Sequence, residues 1–195
     1  MGKSRTYELT RETKETNIHI QTNIDGTGIA EIDTGIKFLD HIIDTFCKHS
    51  LVDIALKTIS KDNISHHLIE DVAICIGISI NKSLGDRSNI ARFGFASIPM
   101  DESVVESTID LIDRSYIKVN LDFKRNVIED MYQEDVIHFF YSLLKNINCC
   151  AHTSLKYGTN DHHIVEAAIK SLAVAFRFSS NINQNIGIPS TKDVM

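Results

Sequence analysis

His66-His67-Leu68-Ile69-Glu70 and His162-His163-Ile164-Val165-Glu166 carry one pattern, H-H-x-x-E, at two places in the chain. The spacing is constant, because 162 − 66 and 166 − 70 are both 96, close to half of the 195 residues. An internal duplication with an offset near 95 is the economical explanation. Each copy also opens an apolar run of helical period: Ile69, Val72, Ala73, Ile76 and Ile80 follow the first, and Ile164, Ala168, Leu172 and Ala175 the second. On such a helix, residues four apart lie about 40° apart around the axis, so His66 with Glu70, and His162 with Glu166, can each hold one ion. His67 and His163 stand about 100° round from their neighbours and point to a different ion, held by the other repeat or by another subunit. The pattern predicts two related metal sites.

Working outward, Ile18, Ile20, Thr22 and Ile24 alternate with polar residues as a half-buried strand. The turn Asp25-Gly26-Thr27-Gly28 closes it, and a short strand follows near Ile29 to Asp33. Ile36, Leu39, Ile43, Phe46 and Cys47 mark a helix to about His49, and Val52, Ile54 and Leu56 a further strand before the first long helix, which ends near Leu84-Gly85. The second half repeats this order, with strands over Ile90 to Ile98, Tyr116 to Phe123 and Cys149 to Leu155, and a helical stripe from Val136 to Ile147. Two copies of a strand-rich unit with two helices predict an α+β fold, with two sheets and the helices on one side of each. No low-complexity linker separates the halves, so residues 1–195 read as one domain of two pseudo-repeats, about 1–95 and 96–195.

The composition narrows the function classes. With 20 Lys+Arg against 26 Asp+Glu, a net charge of −6 and no basic block, the chain lacks the footprint of a nucleic-acid binder. No apolar run approaches the roughly 18 residues that span a bilayer, and Met1 to Arg5 is not followed by a hydrophobic export stretch, so a cytoplasmic location is expected. Cys47, Cys75, Cys149 and Cys150 show no C-x-x-C spacing and read as reduced core thiols. Nine histidines are many for this length. Six have partners of ligand type: the two pairs, His41 on the first helix and His152 on the strand of the second half. Given His41 and His152, each ion receives three imidazoles and one carboxylate, with positions left open for substrate or water. Imidazole and carboxylate without thiolate suit Mn²⁺, Fe²⁺ or Zn²⁺, and an open octahedral ion favours the first two. A single histidine pair at a helix start is more often a surface or capping feature; it is the repetition in register that points to metal. His19 reads as exposed, His49 as a helix-end residue and His138 as helix surface, and none of the three is assigned.

Several ordered motifs then resemble a known family. Arg11-Glu12-Thr13-Lys14-Glu15-Thr16, Thr34-Gly35-Ile36-Lys37-Phe38-Leu39-Asp40-His41, His66-His67 through Glu70-Asp71, Pro99-Met100-Asp101-Glu102, Gly158-Thr159-Asn160-Asp161-His162-His163 and Pro189-Ser190-Thr191-Lys192 are similar to those of imidazoleglycerol-phosphate dehydratases, lyases of histidine biosynthesis. The likeness runs from about residue 5 to 192. It implies the fold of ribosomal protein S5 domain 2, trimers assembling into a 24-subunit shell, and two Mn²⁺ ions per active site at subunit interfaces. It further implies that His41, His66, Glu70 and His163 serve one ion and His67, His152, His162 and Glu166 the other. By the same resemblance Glu15 lies near the reacting carbons, and Arg92, Arg114, Ser190 and Lys192 bind the substrate phosphate, with Lys170 a further candidate. The chain departs from the family where S-G-R-P reads Ile112-Asp113-Arg114-Ser115, where Ser65 and Leu68 flank the first histidine pair, and where Asp193 follows Lys192.

The implied reaction removes water from imidazole glycerol phosphate to give imidazole acetol phosphate. The hydrogen to be lost is not adjacent to a carbonyl and is too weakly acidic unaided. An imidazole ligated through both nitrogens ionises more readily and can expel hydroxide, giving a diazafulvene-like intermediate. Glu15 is the expected acid/base, with Glu70, Glu166 or a histidine as partner. Two other readings fit a metal-rich chain: a two-metal hydrolase, and a non-catalytic protein whose histidines staple subunits through metal. Bridged hydrolase ions share carboxylates, and three imidazoles per carboxylate suit separated ions better.

Overall fold

The two halves fold to the same plan. A computed structural model describes residues 5–183 and 187–190. In the first half, β1 (Thr6–Glu12), β2 (Thr16–Asn23), β3 (Ala30–Asp33), α1 (Lys37–Ser50), β4 (Asp53–Ser60) and α2 (Ser65–Leu84) follow in order. The second half has β5 (Phe93–Met100), β6 (Ser103–Asp110), β7 (Tyr116–Asn120), a small hairpin of β8 (Val127–Ile128) and β9 (Met131–Tyr132), α3 (Gln133–Ile147), β10 (Cys150–Tyr157) and α4 (Asp161–Ser180). The sheet orders are β1-β2-β4-β3 and β5-β6-β10-β7, each with one parallel pair, β3 with β4 and β7 with β10. Parallel neighbours need a crossover, and α1 and α3 supply it in their respective halves.

The repeat is not uniform along the chain. Thr16–Asn23 and Ser103–Asp110 share one burial alternation, an offset of 103 − 16 = 87, whereas β4 and β10 begin 150 − 53 = 97 apart. The extra ten residues fall between β6 and β10, where the β8–β9 hairpin is inserted.

Helices of each half cover one face of their own sheet and pack on helices of the other half, α1 on α4 and α2 on α3. Phe46 of α1 meets Phe176 of α4 at a centroid distance of 6.0 Å, and the buried cluster takes in Ile20, Leu56 and Leu39 together with Val105, Phe140 and Leu172. At the α2–α3 crossing the backbones come so close that a Cβ on Gly77 would run into Asn146 and the Leu143 carbonyl. Glycine there permits the close approach that places α3 against the start of α2.

Four strands lie outside the expectations above. β1 buries no residue fully, so its alternation carries only Tyr7 and Leu9 as apolar signals. β6 turns Ser103 and Ser107 inward, where the Ser107 hydroxyl meets those of Thr153 at 3.0 Å and Ser171 at 2.7 Å. Buried hydroxyls that satisfy one another leave no hydrophobic period to read. The β8–β9 hairpin is too short for any. The strand expected from Ile90 starts at Phe93 instead, because Arg92 takes a left-handed φ of 71° and its amide donates to the Ser179 carbonyl. Among the described residues no helix is long and apolar enough to cross a membrane.

Candidate metal centre

Both histidine pairs fall on the first turn of a long helix. Asn160 caps α4 through its side-chain oxygen, which accepts the His162 amide at 3.0 Å, and Asp62 accepts the Ile64 amide at 3.0 Å just before α2. These turns fix where the four imidazoles leave the backbone.

Each of the four rings has Nδ1 against a carboxylate. His66 meets Asp135 at 2.5 Å, His67 meets Asp62 at 2.7 Å, His162 meets Glu129 at 3.2 Å and His163 meets Glu102 at 2.7 Å. With Nδ1–H donating to the carboxylate, the tautomer is set and Nε2 keeps its lone pair, the arrangement of a metal-ligating histidine held from behind. The Asp62 hydrogen bond raises the pKa of His67, and the Glu102 hydrogen bond that of His163. Glu102 itself is held well below the usual carboxylate range by His163 and by the Asn160 amide at 2.7 Å.

Among the described residues three groups of donor atoms converge, each with all atoms within 4.8 Å of one another: His41–His162–Glu166, His66–Glu70–His138 and Glu15–Asp62–His67. In the first, Glu166 Oε1 lies 2.8 Å from His41 Nε2 and 3.2 Å from His162 Nε2, and the two rings stack at 5.9 Å. Burial pulls the Glu166 carboxyl upward, but hydrogen bonds from Lys170 and His41 outweigh it and bring it down to about 2. Glu166 is therefore an anionic donor, paired at its other oxygen with Lys170 at 2.5 Å. Imidazole nitrogens and carboxylate oxygens make up every group, a donor set that fits a divalent cation of the Mn²⁺, Fe²⁺ or Zn²⁺ type. Thiols do not compete. Cys47, Cys75 and Cys149 are buried, and desolvation pushes each up to about 12.

The expected site residues are distributed as follows. His41 joins His162 and Glu166 within the chain, while the sets implied by the resemblance put it with His66, Glu70 and His163; neither implied set of four is gathered in one chain among the described residues. His152 stands apart from the three groups, against Tyr116 at 5.5 Å with its Nε2 3.9 Å from the Cys150 sulfur. Glu15 is exposed in the β1–β2 turn, 3.8 Å from His67 Nδ1. Arg92 holds Asp110 through two bonds of 2.7 and 2.9 Å and donates at 2.5 Å to the carbonyl of Pro189, which brings the segment ending in Ser190 to its side. Arg114 is exposed, and Lys170 contacts Met100 Sδ as well as Glu166. Lys192 lies outside the described residues.

Of the contributors absent from the sequence expectations, two had left a signal in the repeat. His138, expected on the helix surface, faces His66 and Glu70; its signal was the offset from His41, 138 − 41 = 97, the same as that between β4 and β10. Glu102, behind His163, has the strand offset from Glu15, 102 − 15 = 87, which an offset of 96 conceals.

Comparison with known proteins places this geometry. A family model described as imidazoleglycerol-phosphate dehydratase matches residues 34–176. The chain is 46% identical over 192 residues to the imidazoleglycerol-phosphate dehydratase of Chloroherpeton thalassium, covering 98% of each, and 42% identical over 192 residues to that of Methanocaldococcus jannaschii, covering 98% of this chain and 96% of the other. Among solved structures, the enzyme of that name from Pyrococcus furiosus superposes with a TM-score of 0.83 at 30% identity, over 96% of this chain and all of that one. The Staphylococcus aureus enzyme gives 0.81 at 26% identity, over 91% and 98%.

Proposed function

The chain belongs to the imidazoleglycerol-phosphate dehydratase family, hydro-lyases of histidine biosynthesis, and on that premise we propose that His41, His66, His67, Glu70, His152, His162, His163 and Glu166 hold two Mn²⁺ ions per active site. The carrying observation is the row of four Nδ1–carboxylate contacts, which presents four Nε2 atoms as ligands from the starts of α2 and α4. His41 sits with His162 and Glu166 in one chain, so the two implied sets of four draw donors from neighbouring chains. The two halves act as a single catalytic unit, and trimers assembling into a 24-subunit shell bring the partial centres together. Exposed aromatic side chains at Phe93, Phe95 and Tyr157, 57–64% exposed, support such burial between chains.

Bound there, the ions would supply the Lewis acidity that favours an ionised imidazole in the substrate. The protein's own part is positioning and proton transfer. Arg92, Arg114, Ser190 and Lys192 clamp the phosphate, with the Arg92–Pro189 contact keeping the terminal segment beside one arginine. Lys170 joins that clamp only by leaving Glu166, so its first task is to keep that carboxylate anionic. Glu15, exposed beside His67, takes the carbon-bound proton, and Glu70 or Glu166 assists as the hydroxyl leaves. The reaction takes place in the cytoplasm, on a small phosphorylated imidazole.

Equilibrium dialysis against Mn²⁺ with light scattering tests this reading. Wild-type protein should bind two ions per chain in a large particle, and His67→Ala should bind fewer and assemble less. A full-size His67→Ala particle with two ions per chain would overturn the shared-ligand scheme.

A further inference from the structure

Among the described elements, the β8–β9 hairpin has no counterpart in the first half, and its two tip residues, Glu129 and Asp130, reach different helices. Asp130 serves α1. That helix opens at Lys37 after Ile36, which offers no side-chain cap. The first amides of a helix have no acceptor within it. Here those of Lys37 and Phe38 donate to the two Asp130 oxygens at 2.9 and 3.0 Å, and the negative charge suits the positive end of the helix dipole. A cap normally comes from the residue next to the helix, whereas this one comes from 93 residues away, in the other half. It therefore fixes where α1 starts relative to the hairpin. His41 lies one turn on, sharing a helix face with Lys37 and Phe38. Phe38 is buried, with its ring 6.1 Å from that of His41 and 5.2 Å from that of His162.

Glu129 serves α4. Its carboxylate meets His162 Nδ1 at 3.2 Å, and it holds a φ of 53°, in the left-handed region that glycine takes without strain. A charged residue held there points to a role for its side chain. Ile128 and Met131, which flank the tip, are buried in the core and anchor it. Both tip residues line the same cavity as His41, His162 and Glu166.

We propose that this tip is a positioning strap: Asp130 sets His41 through the start of α1, Glu129 sets His162 directly, and together they fix the distance between two ligands on separate helices. The contacts of Glu166 with those two rings, at 2.8 and 3.2 Å, depend on that distance. The proposal rests on the reading of His41, His162 and Glu166 as metal ligands.

The test uses full-length protein, stripped with chelator and titrated with Mn²⁺ alone, following free ion by electron paramagnetic resonance, with urea unfolding of the same samples. Asp130→Ala should weaken Mn²⁺ binding by about 10-fold or more, the usual worth of a group behind a ligand. Asp130→Asn keeps one acceptor for the helix amides and should recover part of that loss. Glu129→Gly should bind Mn²⁺ about 10-fold more weakly while unfolding at no lower urea concentration than wild-type, since glycine relieves the left-handed φ. A group that only stabilised the fold would move the urea midpoint and leave the affinity alone, as expected for Asp53→Asn, whose turn packs on Lys48 at the far end of α1. Wild-type affinity in Asp130→Ala or in Glu129→Gly would overturn the strap, and if Asp130→Ala does not fold, Glu129→Gly decides alone. An asparagine variant no better than alanine would assign the effect to charge and overturn the cap. Failure of the underlying reading looks different: wild-type itself would bind no Mn²⁺.

Discussion

Glu15 and Glu102 occupy one position in the two halves, each immediately before a strand of identical burial pattern and each beside the second histidine of its pair. Their surroundings separate their roles. Both are exposed, but Glu102 is engaged by His163 and by the Thr159 and Asn160 amides, whereas the Glu15 carboxylate stands 3.8 Å from the His67 Nδ1. A carboxylate that is to carry a proton must be reachable by substrate, and Glu15 meets that condition. Glu15→Gln should keep bound metal and particle size while kcat falls by at least about 100-fold, the usual worth of a general acid or base. Steady-state assay beside metal analysis decides it, and an unchanged kcat would remove Glu15 from the chemistry. The ligand types at His66, Glu70, His162 and Glu166 were readable because helical spacing is a local property. The carboxylates behind them were not: Asp135 reaches His66 from 69 residues away and Glu102 reaches His163 from 61, separations that only the fold closes.

Among the connections between strands, the turn after β2 shows how one buried-side group fixes a path. Asp53, at the start of β4, accepts the amides of Thr27, Gly28 and Ile29 at 2.8, 2.9 and 2.8 Å. Gly28 has a φ of 85°, which glycine adopts without strain. Partial burial pulls the Asp53 carboxyl up, but the three amides outweigh it and leave its pKa below the ordinary value. A depressed folded pKa means stabilisation that is present above the unfolded value of about 3.9 and lost as pH falls through the folded one. Asp53→Asn should cost about 1–2 kcal/mol at neutral pH, with the gap to wild-type narrowing below about pH 4. Urea denaturation at both pH values checks this, and a gap that persists in acid would contradict it. The sequence announced the turn through Asp25-Gly26-Thr27-Gly28, since glycines punctuate locally. It did not announce β6, whose inward Ser107 pairs with Thr153 and Ser171 from other elements.

Taken together, the molecule is two copies of one unit whose helices interlock, so that two of the three donor groups among the described residues span both halves, where α1 meets α4 and α3 meets α2. The duplication was legible from two motifs 96 residues apart, but its offset changes from 87 to 97 across the β8–β9 insertion. A single repeat length therefore matched the long helices and missed Glu102. The implied ligand sets also exceed one chain: His41 already sits with His162 and Glu166, and His152 stands apart from all three groups. On the proposed shared centre, assembly and catalysis would depend on the same ion. The most direct measurement incubates the protein with imidazole glycerol phosphate after chelation and again after Mn²⁺ is restored, following the ketone product and particle mass together. The account predicts no product and smaller particles without metal, with both recovered on adding Mn²⁺. Product formation by fully metal-free protein, or none from folded protein loaded with two ions per chain, would contradict it.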